Sequence, residues 1–175
     1  MRSRLSLLIG YYGDLLFVKN FEAFKKSTSF LFESVGVMEG PEKVVGLQCI
    51  DTLKTITVDS DVAKRFLTFL PEIVQMIANL MTTVNYPQFF EFVLEFGKFF
   101  ARVLNEQILV IFEATVARVL NEQGQREKVS DSSIMRIGKC MNILRMIVEK
   151  QEYISAYADL FEQKLSPIYL FMANP

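Results

Sequence analysis

The chain has 175 residues, 51% of them hydrophobic and 22% charged, with 19 basic against 20 acidic side chains and a formal net charge of -1. It can bury enough apolar surface to build a substantial core, which excludes a disordered chain, and its balanced charge leaves no electrostatic footprint for a nucleic-acid backbone. It has no histidine and only two cysteines, Cys49 and Cys140, with no CxxC, so the commonest general base and the usual zinc and haem ligands are missing.

Helical periodicity runs from end to end, and no alternating strand interrupts it. The spacing predicts eight helices. The first covers about Ser3 to Phe17. Asn20 can cap the second, which carries Phe21, Phe24, Phe30, Leu31 and Val35 and ends at Gly36. Gly40-Pro41 opens the third, whose stripe is Val45, Cys49, Leu53 and Ile56. Asp59 or Ser60 caps a fourth that continues to about Thr83, and Pro71 inside it predicts a kink or a break. Asn85-Tyr86-Pro87 is a turn and a new start. The fifth helix then places Phe89, Phe92, Phe96, Phe99 and Val103 on one face. Ile108, Leu109, Phe112, Val116 and Leu120 make the sixth. After a polar loop at residues 123–128, Asp131 or a neighbouring serine caps the seventh, with Ile137, Met141, Leu144 and Val148. The eighth begins near Glu152 and meets Pro167 before its end.

Short joints pair these helices into four hairpins, at about 3–36, 41–83, 86–123 and 131–174. Their starts, at Ser3, Pro41, Pro87 and Asp131, lie 38, 46 and 44 residues apart. HEAT and armadillo hairpins repeat at about 40–47 residues, and shorter helical repeats fit less well. The expected fold is therefore all-α: a right-handed α-solenoid of HEAT type in a single domain, with wide apolar stripes suited to helices sandwiched between neighbours. The heptapeptide Ala-Arg-Val-Leu-Asn-Glu-Gln occurs at residues 101–107 and again at 117–123. Its offset of 16 is too short for a hairpin, so it is not the architectural repeat. The apolar stretch after Arg4 is broken by Tyr11, Tyr12 and Asp14 and lacks a small-residue cleavage site, so no secretory signal is read there. The longest uncharged run, between Glu72 and Glu91, holds too many polar residues for a membrane span.

Four stretches carry a family likeness: the run from Leu8 through Gly10-Tyr11-Tyr12-Gly13 to Phe17, then Phe24-Lys25-Lys26 with Phe30 to Val35, then Val45 to Ile56, and late in the chain Cys140 to Ile154. Together they resemble the middle HEAT repeats of the importin-β superfamily of nuclear transport receptors, the importin-seven and importin-eight types in particular. The resemblance implies a segment of a longer receptor present in cytoplasm and nucleus. Its partners would be protein cargo, nucleoporin Phe-Gly repeats and, through the full-length receptor, the GTPase Ran. No cofactor, metal, nucleic acid or membrane is implied. A HEAT scaffold of another class shares all of these periodicities.

Each chemical feature has a plain structural reading beside it. The 16 phenylalanines could form slots for Phe-Gly repeats, but steps of three and four residues also fill a core. Glu91, Glu95, Glu106 and Glu113 could line an acidic inner surface for basic cargo, or be a solvated face. Lys25-Lys26 and Lys64-Arg65 are too sparse for nucleic acid. Asp59, Asp61 and Asp131, with Ser132 and Ser133, are explained as helix caps. Ser155 and Thr115 have no histidine to activate them. Cys49 and Cys140 lie on apolar stripes and read as inert thiols, although spacing alone leaves a disulfide open. Gly10-Tyr11-Tyr12-Gly13 lacks the lysine of a phosphate loop. No catalytic, cofactor or metal residue is assigned, and the chain reads as a binding protein.

Overall fold

The computed structural model describes residues 2–36, 42–58, 66–100, 103–104, 107–124, 131–150 and 154–173. Among them are eight α-helices and no strand: α1 (Arg2–Lys19), α2 (Phe21–Val35), α3 (Glu42–Val58), α4 (Leu70–Thr83), α5 (Pro87–Phe100), α6 (Ile108–Gly124), α7 (Asp131–Lys150) and α8 (Ile154–Ala173).

Local chemistry sets several of the boundaries. Asn20 is extended, and its Oδ1 accepts a hydrogen bond from the Ala23 N–H at 3.1 Å, which starts α2 as the sequence predicts. Gly36 closes that helix in a right-handed conformation, its N–H shared between the carbonyls of Phe32 and Glu33. Of the kink or break expected at Pro71, the structure shows a break. Pro71 sits in the first turn of α4, behind a short 3₁₀ turn at Leu67–Phe69, where its missing N–H breaks no helical bond. The predicted caps Asp59 and Ser60, and Gly40-Pro41, lie outside the described residues. Pro167 falls inside α8.

The helices pack in two rows. Along one, α1 touches α3, α3 touches α5 and α5 touches α7; along the other, α2 touches α4, α4 touches α6 and α6 touches α8. Contacts of α1 with α2, α2 with α3 and α6 with α7 tie the rows together. One apolar core runs through all of it, from Ile9 on α1 to Ile168 on α8. Close approach is made by small residues. A Cβ on Gly10 or Gly13 would lie 3.4 or 3.5 Å from the Thr52 or Ile56 side chain of α3, so α1 lies against α3 through Ser6, Ile9, Gly10 and Gly13.

The fifth stripe differs from the sequence reading. Phe89, Phe90, Phe92, Phe96 and Phe100 are buried, but Phe99 is 48% exposed and Val103 lies beyond the helix. At 100° per residue, Phe99 falls off the arc that Phe92, Phe96 and Phe100 share. Likewise Leu120 is exposed while Ile111, Thr115, Val119 and Glu122 are buried in α6. Helix α6 touches both α4 and α7, so its buried arc is wider than, and shifted from, the arc its most apolar residues predict.

Candidate functional site

Among the described residues, two ionic clusters of three side chains each join neighbouring helices. The first is a short ladder across one row. Glu91 on α5 receives Lys139 of α7 at 2.6 Å and Lys54 of α3 at 3.7 Å. The Lys139 ammonium, hydrogen-bonded to Glu91, holds its carboxyl below the usual range against the opposing effect of burial. All three side chains are partly exposed, so each pair contributes under about 1 kcal/mol.

The second is buried. Arg118 and Glu122, one turn apart on α6, pair at 2.6 Å, and both are over nine-tenths buried. Arg136 of α7 grips the same carboxylate with two nitrogens, at 2.9 and 3.0 Å, and also donates to Ser133 Oγ at 2.9 Å. Arg118 reaches across to the end of α4. Its Nη1 donates to the Thr82 carbonyl at 2.8 Å and its Nη2 to Asn85 Oδ1, while the guanidinium lies over the Phe90 ring. A cation at the last carbonyls of α4 answers the negative end of that helix. Burial alone would raise the Glu122 carboxyl, but Arg136 and Arg118 outweigh it and hold it below the usual range. The cluster thus joins α4, α6 and α7, and a cleft of about 240 Å³ opens beside it.

No family model, no curated protein and no solved structure matches this chain.

The sequence-predicted residues are dispersed. Glu91 and Glu95 lie on α5 and Glu113 on α6, in different rows; Glu106 lies outside the described residues. Glu91 is neutralised by its two lysines, so these acids do not form one acidic inner surface. Lys25 pairs with Glu72 of α4 at 2.7 Å. Lys64, Arg65, Asp59 and Asp61 lie outside the described residues. Asp131 begins α7, and Ser133 serves Arg136. Thr115 is buried and donates to the Ile111 carbonyl at 2.6 Å, so its hydroxyl is engaged by its own helix. Cys49 and Cys140 are free, buried thiols on α3 and α7. Burial pushes both up, Cys140 to about 12. Gly10 to Gly13 are helical, which is not the geometry of a phosphate loop. Among the described residues no group of three or more histidine, cysteine, aspartate or glutamate side chains gathers around a metal-sized space, and no helix is long and apolar enough to cross a membrane.

The buried cluster is what sequence reading passes over. Its signal is present in the repeated heptapeptide. Arg118 and Glu122 are the Arg and Glu of its second occurrence, spaced for an i,i+4 pair. The two occurrences differ in backbone. The second is helical within α6, whereas Val103 and Leu104 of the first form a turn whose N–H groups return to Phe100. Packing, not local propensity, decides between them.

Three further surfaces stand out among the described residues. A slot of about 100 Å³ lies between α3 and α5, lined by Phe92, Phe96 and Phe99 and rimmed by Lys54 and Glu95. A shallow cleft of about 510 Å³ runs between α7 and α8, with Phe161 and Leu165 at its floor and Tyr169 and Leu170 exposed. The side of α1 away from α3 exposes Leu5, Leu7, Leu8, Tyr11, Tyr12 and Leu15.

Proposed function

We propose that this chain is a protein-binding segment of a HEAT-type, right-handed α-solenoid. The observation that carries this reading is the contact order, in which each helix from α1 to α6 touches the helix two places further along the chain. Stacked hairpins produce that order, and stacking leaves a long shared surface for macromolecules where a closed bundle offers a single interior. The apolar outer side of α1 supports it further, because a stacked neighbour covers such a face.

Within that class we favour a nuclear import receptor that carries protein cargo through the nuclear pore under Ran control. The residues from Leu8 to Phe17 and from Val45 to Ile56 support it by resemblance. So does the slot between α3 and α5, which has apolar walls and room on the order of one aromatic ring, as a Phe-Gly repeat requires. Elastic changes between hairpins would couple Ran binding to cargo release, a linkage of about 1–3 kcal/mol in typical systems. A scaffold subunit of another complex is the competing reading, and the same row packing supports it.

The experiment is capture of the full-length protein on immobilised Ran loaded with GTP or GDP, beside capture on a Phe-Gly peptide. Capture that depends on GTP, with Phe99→Asp weakening only the peptide, supports the receptor. Capture by neither bait removes it and leaves the scaffold.

A further inference from the structure

The hydrogen bonds around Arg118, Glu122 and Arg136 leave an imbalance that the fold does not use. Glu122 is fully engaged: it accepts twice from Arg136 and once from Ser133, and it is ion-paired with Arg118. The Thr82 and Thr83 hydroxyls are turned to their own helix, donating to the Asn79 and Leu80 carbonyls. With their hydrogens spent there, the two hydroxyls offer the 240 Å³ cleft no donor, and its donors are the nitrogens of Arg136, Asn85 and Asn121. Arg136 spends Nε and Nη2 on Glu122 and Ser133, and its Nη1 has no partner among the described residues. Arg118 holds Asn85 by its oxygen, which turns the Asn85 amide nitrogen outward as a donor. Asn121 lines the same cleft with no bond to any described residue. Arg118 Nε is buried without a partner. Two guanidiniums stand against one carboxylate, so the site carries a net charge of +1, and every residue lining it is polar.

We propose that this cleft between α4, α6 and α7 binds a single oxyanion, a carboxylate or a phosphate group, through Arg136 Nη1 and the Asn85 and Asn121 amides. An unspent guanidinium edge flanked by amide donors matches the planar oxygens of such a group, and charge-assisted bonds of this kind are the strong ones. An apolar ligand finds no surface there, and a cation meets the wrong sign. The cleft has the volume of several waters, so a phosphate or a carboxylate-bearing side chain enters without rearrangement of the ion pairs. The oxyanion is either free in solution or carried on an acidic residue of a protein partner. Only the second source rests on the protein-binding reading above.

The test is a titration of the ¹⁵N-labelled full chain at constant ionic strength, following the Arg136 guanidinium and the Asn85 and Asn121 side-chain amides. One arm adds inorganic phosphate; the others add a pentaglutamate peptide and its pentaglutamine counterpart. Saturable shifts confined to these three residues are expected, with affinity falling about tenfold in Asn121→Ala, which removes one charge-assisted donor. Asn121 is exposed, so that variant keeps its fold, and Arg136→Lys provides a second reading on the guanidinium edge. Response to phosphate alone assigns the site to a free anion. Response to pentaglutamate but not pentaglutamine assigns it to an acidic partner. No saturable shift in any arm, or equal affinity in the wild type and Asn121→Ala, overturns the proposal. Failure of the Ran capture leaves the phosphate arm untouched, so the two readings fall separately.

Discussion

At the scale of single residues, Glu122 has the largest leverage. It is the one carboxylate facing two buried or nearly buried guanidiniums among the described residues. Removing one partner of a buried ionic set leaves charge without compensation, and Glu122→Gln is expected to cost about 3–5 kcal/mol, measured by urea denaturation. The pH dependence follows from the direction of its shift. Its folded carboxyl titrates below its unfolded value, so the unfolded state binds the proton more readily. The stabilisation is fully present above the ordinary carboxylate range and is lost as pH falls through the lowered folded value. Stability of the wild type should therefore decline on acidification, and Glu122→Gln should flatten that decline; an unchanged slope would remove Glu122 from the account. The thiols give a second residue-scale prediction. With Cys49 and Cys140 buried and pushed up by burial, a thiolate-seeking reagent should leave the native chain unlabelled at neutral pH and label both after unfolding. The core role of these cysteines is legible in the sequence because both fall on apolar stripes. The ion cluster is not, since the sequence does not place α4 and α7 beside Arg118 and Glu122.

At the scale of elements, glycine separates two kinds of helix surface. Gly97 on α5 lies under α7, and a Cβ added there would collide with Met146 Cε. Gly138 on α7 has nothing within 4 Å of that position. Gly138→Ala is expected to raise stability by about 1 kcal/mol through helix propensity alone. Gly97→Leu is expected to lower it by about 1–3 kcal/mol, because the added carbons must displace Met146; thermal melts of both variants check the pair. Opposite signs are the critical result, and equal effects would mean that α5 and α7 do not approach as described. The helices themselves are readable from periodicity, and the Asn20 cap and the Gly36 stop stand where side-chain chemistry puts them. Pro71 reads as an interior proline because Phe66, Leu67, Phe69 and Leu70 continue an apolar pattern through the 3₁₀ turn, which a period of 3.6 does not distinguish from helix. The misassignment of Phe99 has a similar origin: three of its neighbouring phenylalanines are core, and apolar identity alone does not say which arc meets a partner helix.

At the scale of the whole molecule, the two rows share one core, so unfolding should be a single cooperative event for the described helices. The outer side of α1 is the exception to good burial. Its six large exposed side chains contribute little to the folded chain. Leu8→Lys with Tyr12→Lys should leave the melting temperature within about 2 °C of wild type, in line with the small effect of surface substitutions, while suppressing concentration-dependent association in sedimentation or light scattering. A large loss of stability would show that this side is packed. The number of helices is legible from periodicity, but their pairing is not: of the expected hairpins only α1 with α2 is among the main helix contacts, while α2 with α3 and α6 with α7 join the rows. The contrast between α1 and α7 is not legible there, because periodicity does not say which arc meets a neighbour: α7 turns Asp131, Asn142, Arg145 and Glu149 outward beside Ile134 and Met135.

That contrast gives the row a direction. A copy of this chain that tried to add its greasy α1 edge to the wet α7 edge of another would strand charged groups against leucines and tyrosines, and the contact would not hold. Head-to-tail joining is the geometry that propagates into open-ended fibres. Within the described row, then, α1 offers an adhesive edge and α7 a largely hydrated one, and the two do not match.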